Sequence, residues 1–227
     1  MRYSIILLVL INLSCSKQVN YENSFIKVDE YSGLTKGRFI VYDVKEINHT
    51  PATATTVISD TLHYELKVVI EDTLYDNLGR LSWKYSRFKR NSSSESWVQT
   101  DVWTSYVDRN NFELVEENQR IIKMKSPIKN STNWDANIYT NLGSTNYSYL
   151  NINNSFTFNN LFFDSTVTID QEDLRNLIDY RKKMEIYAKG VGMVYKYYKD
   201  LDIANFDTLN IKSGKELYLF PKLIGFQ

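Results

Sequence analysis

The sequence has few of the features that mark several common protein classes. Its one cysteine excludes an intramolecular disulfide and a cysteine-rich metal site. Its 27 basic and 27 acidic residues balance, so the total charge gives no indication of nucleic-acid binding. The apolar run at residues 5–11 is far shorter than the about 20 residues of a spanning helix. With 43% hydrophobic and 24% charged residues, the chain is neither intrinsically disordered nor a multispan membrane protein.

Aromatic residues, in contrast, are abundant. The 227 residues include 17 Tyr, 11 Phe and 4 Trp, beside only 3 Pro and 8 Gly. Aromatic side chains favour strands, and the many asparagines favour polar turns. The composition therefore predicts a mainly β protein.

The amino terminus has the features of an export signal. Arg2 supplies a positive charge, residues 5–11 form a short apolar segment, and the small residue Ser14 precedes Cys15. This order resembles the lipobox of bacterial lipoproteins, in which signal peptidase II cuts before a cysteine that becomes diacylated. The resemblance implies a lipoprotein signal peptide over residues 1–14 and lipidation of Cys15. An unmodified cysteine in an ordinary secretory peptide and a functional thiol are the alternatives.

Residues 15–33 are polar with isolated apolar side chains, which predicts a tether between the lipidated cysteine and a folded body. The lipoprotein resemblance implies the cell envelope and anchoring to the outer membrane. An acidic cluster just after the cysteine resembles a surface-export tag in some Gram-negative groups, and residues 16–19 lack one. The periplasmic face is therefore expected, with the membrane as a partner through the N-terminal lipid anchor.

The rest of the chain has the two-residue period of β-strands. Leu62, Tyr64, Leu66, Val68 and Ile70 alternate with mostly polar residues, as in a strand with one buried face. Further strand-like segments follow without a linker. Residues 34–227 are therefore predicted to form a single antiparallel β domain.

Short turns separate these segments. Residues 76–79, 159–160 and 213–214 suit antiparallel hairpins. Many successive hairpins must hide their edges, which predicts a curved sheet or β-barrel, with a β-sandwich as the alternative. Residues 171–183 are compatible with a short helix or with an exposed loop and strand.

Residues 35–44, Trp97 with residues 101–103, and residues 187–195 together are similar to segments of uncharacterised envelope lipoproteins common in Bacteroidota, in the same order and over most of the mature chain. The last segment, YAKGVGMVY, also resembles a motif of lipocalin-like and half-barrel envelope proteins, in which a late strand bends at paired glycines. The resemblance implies a lipocalin-like or half-barrel β body and no catalytic residues. Gly190 and Gly192 are expected to form a structural bend, since glycine in a strand permits a bulge.

The sequence contains no recognisable motif for catalysis, cofactor binding or metal binding. His49, placed in a loop before Pro51, and His63, placed on an outward strand face, have no second ligand at metal-site spacing. Neither a phosphate-binding glycine loop nor a nucleophile elbow is present. A non-catalytic protein without a cofactor is therefore expected. The basic cluster Lys84, Arg87, Lys89 and Arg90 is interpreted as a solvated edge strand or a contact for anionic headgroups.

The aromatic side chains allow several interpretations. They fill a closed core, or they line a cup for a lipid or other amphipathic small molecule. Exposed aromatics would instead favour a glycan-binding module, and a structural or assembly role with another envelope protein is the remaining alternative. The candidate ligand-lining residues are Trp83, Tyr85, Trp97, Trp103 and Tyr195.

Overall fold

The computed structural model describes residues 26–53 and 56–227. Cys15 and the predicted signal peptide lie outside the described residues. Within them, one short helix, α1 at Val28–Ser32, precedes twelve strands. The strands are β1 Arg38–Pro51, β2 Val57–Tyr75, β3 Leu81–Arg90, β4 Val98–Val107, β5 Asn111–Glu116, β6 Gln119–Lys125, β7 Asn133–Asp135, β8 Asn146–Phe158, β9 Leu161–Arg175, β10 Asp179–Ala188, β11 Gly192–Ala204 and β12 Asp207–Phe226.

All these strands form one antiparallel sheet in the order β6-β5-β4-β3-β2-β1-β12-β11-β10-β9-β8-β7. The first and last strands pair with each other, and the two edge strands, β6 and β7, lie side by side. Across this seam the Ile122 N–H donates to the Ala136 carbonyl and the Trp134 indole N–H donates to the Ile122 carbonyl, both at 2.9 Å. The sheet is therefore nearly closed into a barrel. The predicted antiparallel β-barrel is confirmed, and the β-sandwich alternative is not adopted.

Alternation along the strands places apolar residues inside the barrel. In β1, Tyr42 and Val44 are 2% exposed, and Leu66 and Ile70 of the adjacent β2 are also buried. Side chains two residues apart in a strand share a face, so this periodic pattern accounts for one wall of the core. The alternation fades toward the end of the barrel away from α1, where Leu62 is exposed.

The helix α1 packs against one end of the barrel. Val28 and Tyr31 are fully buried because residues three apart lie on the same face of a helix. The Tyr31 hydroxyl contacts Asn153 Oδ1 and Ser165 Oγ, both at 2.8 Å. Val28 and Tyr31 belong to the segment 15–33, which is predicted from the sequence to be a tether. The structure corrects that boundary, because α1 is part of the folded body.

Glycines allow α1 to approach the β10–β11 turn closely. Gly33 ends α1 at a φ of 70°, and a Cβ on Gly33 would collide with the Val191 carbonyl. Gly190 and Gly192 have φ values of 69° and 107°, which favour glycine. The structure places Gly190 in the turn between β10 and β11 and Gly192 at the first residue of β11.

Two local predictions differ from the structure. Residues 171–183 form the end of β9, a turn and the start of β10, so the helix alternative is wrong. Asn176 initiates that turn, because its side-chain Oδ1 accepts hydrogen bonds from the backbone of Ile178 at 2.9 Å and Asp179 at 2.6 Å. The hairpin predicted at residues 213–214 is also wrong, since both residues lie inside β12.

Candidate functional site

The barrel contains an internal cavity of about 170 Å³. Gly33 and Val191 lie at the end covered by α1, and Leu66, Val68 and Leu219 contribute apolar wall. An apolar protein cavity of about 150 Å³ accommodates benzene, so this volume suits a small apolar group.

A buried ionic cluster forms part of the cavity wall. Glu185 is 1% exposed, and its Oε1 accepts hydrogen bonds from Lys123 Nζ and Lys196 Nζ, each at 2.9 Å. The Tyr187 hydroxyl donates to Glu185 Oε2 at 2.8 Å. Lys123 also pairs with Glu116 at 3.0 Å. Both carboxylate oxygens of Glu185 are therefore occupied by protein donors.

The charges of this cluster stabilise one another. Burial alone would raise the pKa of Glu185, but Lys123 and Lys196 outweigh burial and hold that pKa far below its usual value. Burial would lower the pKa of Lys123, but Glu116 and Glu185 raise it above the ordinary lysine value. Burial, followed by the Glu185 charge, raises the pKa of Tyr187. At neutral pH Glu185 and Lys123 are therefore ionised and the Tyr187 phenol is neutral.

Arg87 and Tyr85 of β3 also line the cavity. The Arg87 guanidinium carbon lies 3.8 Å from the centroid of the Trp103 ring, and Arg87 Nη1 donates to Asp101 at 3.3 Å. Burial raises the pKa of Tyr85, so its hydroxyl remains a hydrogen-bond donor at neutral pH. The cavity wall therefore combines apolar surface with two polar donors on one strand.

The structure separates the aromatic residues that sequence analysis grouped together. Tyr85 and Trp103 face each other across β3 and β4 and both line the cavity. Trp97 lines a second depression, and the Tyr195 ring packs against Phe156 and Phe220 in a second aromatic cluster. Trp83 lines neither depression and pairs across the sheet with Ser105 of β4.

The basic cluster on β3 does not lie on an edge strand, so that prediction is wrong. β3 is hydrogen-bonded to both β2 and β4. Arg87 lies over Trp103, Lys89 lies 3.8 Å from the Tyr64 ring centroid, and Arg90 lies 4.3 Å from that of Trp97. These cation–π partners lie on β2, on β4 and just before β4, so they are not the aromatic residues interleaved with the basic cluster in the sequence.

A second aromatic cluster lies away from the cavity. Leu219 of β12 lines the cavity, so Phe220 points to the opposite face of the sheet. Phe158, near the β8–β9 turn, stacks on Phe220 at 5.1 Å although three strands separate β8 from β12. The β8–β9 hairpin therefore folds back over the outer surface. The cluster is a packing contact rather than a flat exposed row of rings.

His49 lies within β1 and is buried, which corrects its predicted place in a loop. Its Nδ1 is 2.8 Å from Ser59 Oγ, and its Nε2 is 3.1 Å from Glu216 Oε1. Although this order resembles a hydrolytic triad, Lys199 pairs with the same Glu216 at 3.0 Å and Ser59 lies in neither depression. The three residues form a polar cross-strand link. Within residues 26–53 and 56–227, no group of three or more His, Cys, Asp or Glu residues could hold a metal ion.

No family model matches the chain, and no curated protein sequence matches it. Among solved structures, the chain is similar to a candidate lipoprotein from Parabacteroides distasonis, with a TM-score of 0.45 and 12% sequence identity. The similarity covers 86% of this chain and 98% of that chain. None of the helices in the described part of the chain is long and apolar enough to cross a membrane.

Proposed function

We propose that this protein is a lipid-anchored, non-catalytic protein of the bacterial envelope whose barrel binds a small hydrophobic or amphipathic ligand. The observation that carries the proposal is the internal cavity, which combines apolar wall from Leu66 and Leu219 with the polar groups of Arg87 and Tyr85. Ligand sites in proteins share this combination of apolar lining and a few directed polar groups. The sequence at Cys15 supports the anchor, on the periplasmic face of the outer membrane.

The fold leaves room for the anchor. The segment between Cys15 and Ile26 is long enough to extend about 35–40 Å, and Ile26 lies beside α1, where its carbonyl accepts a hydrogen bond from the Ile128 N–H at 3.3 Å. The anchored segment would therefore join the barrel at its α1 end. Replacing Cys15 with serine is expected to release the protein from the membrane fraction after cell fractionation. A variant that matures and remains with the membrane would contradict the anchor.

Native mass spectrometry of the full chain, released gently from detergent micelles, tests the ligand. We expect a co-purifying small molecule with the wild-type protein. Leu66→Trp, which fills the cavity from its wall, should lose that molecule. Leu62→Trp is the matched control, because Leu62 lies on the same strand and is 42% exposed. Equal ligand occupancy in both variants would contradict binding in the cavity, and capture of one envelope protein by an empty barrel would favour an assembly role.

A further inference from the structure

We infer that the ligand of the barrel cavity is a small amphipathic anion, whose apolar body occupies the cavity and whose carboxylate-type head group binds Arg87 and Tyr85. The inference rests on the proposed function, because it names the ligand class of the same cavity. It follows from the balance of charges and hydrogen-bond donors in the cavity wall.

Cations outnumber carboxylates in this wall. The lining residues include Arg38, Arg87, Lys123 and Lys196 but only Glu116 and Glu185. The Glu185 carboxylate is saturated by its two lysines and Tyr187, and Lys123 is held between two carboxylates. The remaining cations of the wall are Arg38 and Arg87, and the carboxylate that pairs with Arg87, Asp101, does not line the cavity.

Arg87 has donors left for a ligand. Its guanidinium carries five N–H groups, and its pairing within the described residues is one contact with Asp101 at 3.3 Å. Its side chain is 20% exposed and is fixed in direction by the Trp103 ring at 3.8 Å. A planar guanidinium held in this way is suited to a carboxylate, which it can bind through two parallel hydrogen bonds.

Tyr85 adds a second donor at the same place. It lies two residues before Arg87 on β3, so both side chains point to the same face of the sheet. In the part of the chain that the structure describes, its hydroxyl has no hydrogen-bond partner. A hydroxyl in a cavity wall that donates to no protein acceptor is available to donate to an anionic ligand.

The cavity volume limits the apolar part of the ligand. About 170 Å³ suits a body near the size of a substituted benzene ring. Leu66, Val68 and Leu219 provide apolar contacts for such a body. A neutral ligand of the same shape would offer no negative charge to the Arg87 guanidinium.

The test compares two probes with the same apolar body, 4-ethylbenzoate and 4-ethylbenzyl alcohol. Each is titrated by calorimetry into the full-length protein in a non-ionic detergent, and titration into micelles alone corrects for the stronger partitioning of the neutral alcohol. The wild-type protein should bind the carboxylate about ten- to a hundredfold more tightly than the alcohol, as a hydrogen-bonded charge provides. Arg87→Gln should abolish this preference, and Tyr85→Phe should reduce it.

Lys84→Gln is the matched control. The substitution removes one positive charge from the same strand as Arg87. Lys84 does not line the cavity, and its Nζ pairs with Glu71 at 2.6 Å. It should keep the wild-type preference. Equal affinity of the wild-type protein for both probes, or an unchanged preference in Arg87→Gln, would overturn the anion inference while leaving the cavity as a ligand site. Binding of neither probe would count against the proposed function and against the inference that rests on it.

Discussion

Glu185→Gln is expected to destabilise the barrel strongly. Glu185 is 1% exposed and accepts hydrogen bonds from Lys123 and Lys196, so the substitution leaves two cations beside a neutral amide. Lys123 is 4% exposed and, among the residues that the structure describes, would retain Glu116 alone as a carboxylate partner. Removing one partner from a buried ionic cluster costs about 3–5 kcal/mol. For a chain of this length, each kcal/mol lowers the Tm by about 2–4 °C, which gives a decrease of about 6–20 °C.

Thermal unfolding followed by circular dichroism measures this effect. Glu71→Gln is the control, because Glu71 pairs with one lysine, Lys84, in a site where the side chains are 30% and 39% exposed. Exposed pairs of this kind contribute about 0–1 kcal/mol. If Glu185→Gln lowers the Tm no more than Glu71→Gln does, the ionic cluster does not stabilise the fold as argued.

Three further predictions concern pH, the seam and the helix contact. The lysines hold the pKa of Glu185 below its usual value, so the wild-type protein should be more stable than Glu185→Gln above the unfolded-state pKa of about 4.3 and lose this advantage as the pH falls below it. Urea unfolding of both proteins at pH 7 and pH 3 measures the difference. An equal difference at both pH values would contradict the prediction. Trp134→Phe removes a seam hydrogen bond and should lower the free energy of unfolding by about 1 kcal/mol or more. Amide hydrogen exchange should become faster in β6 but not in β1. Unchanged exchange in β6 would argue against this bond. Gly33→Ala should lower the urea midpoint more than Gly143→Ala, because both have positive φ but only Gly33 faces the Val191 carbonyl; equal effects would mean that the contact is relaxed easily.

The fold class could be predicted from the sequence because strand alternation is a local property. The inward face of β2, with Leu66 and Ile70, follows directly from a two-residue period. The position of a strand within the sheet is not local, so the basic residues of β3 predict an edge strand although β3 lies between β2 and β4. The fold-back of the β8–β9 hairpin was equally hidden, because it depends on Asn151 and Asn153 at positive φ, where the pairing of β8 with β9 shifts register.

Only part of the cavity lining could be predicted from the sequence. Tyr85 and Trp103 could be proposed as ligand-lining residues because aromatic residues on alternating strand positions share a face. The ionic cluster could not be predicted, since Lys123 and Glu185 are far apart in sequence and come into contact only when the sheet curls into a barrel. Pro51 after His49 predicts a loop at this position, whereas in the structure Pro51 is the last residue of β1 and His49 lies within that strand.

The pairing of the first and last strands has a consequence for biosynthesis. Ile40 of β1 lies opposite Ile224 of β12, so the ring of strands cannot be completed until the ribosome has delivered the last residues. Until then the edge of β1 that will pair with β12 has unpaired backbone N–H and C=O groups. Such an exposed strand edge can pair with strands of other chains. A product that stops before residue 207 would keep two such sides, on β1 and β11, permanently. Premature termination near the carboxyl end should therefore produce aggregates rather than a smaller working protein.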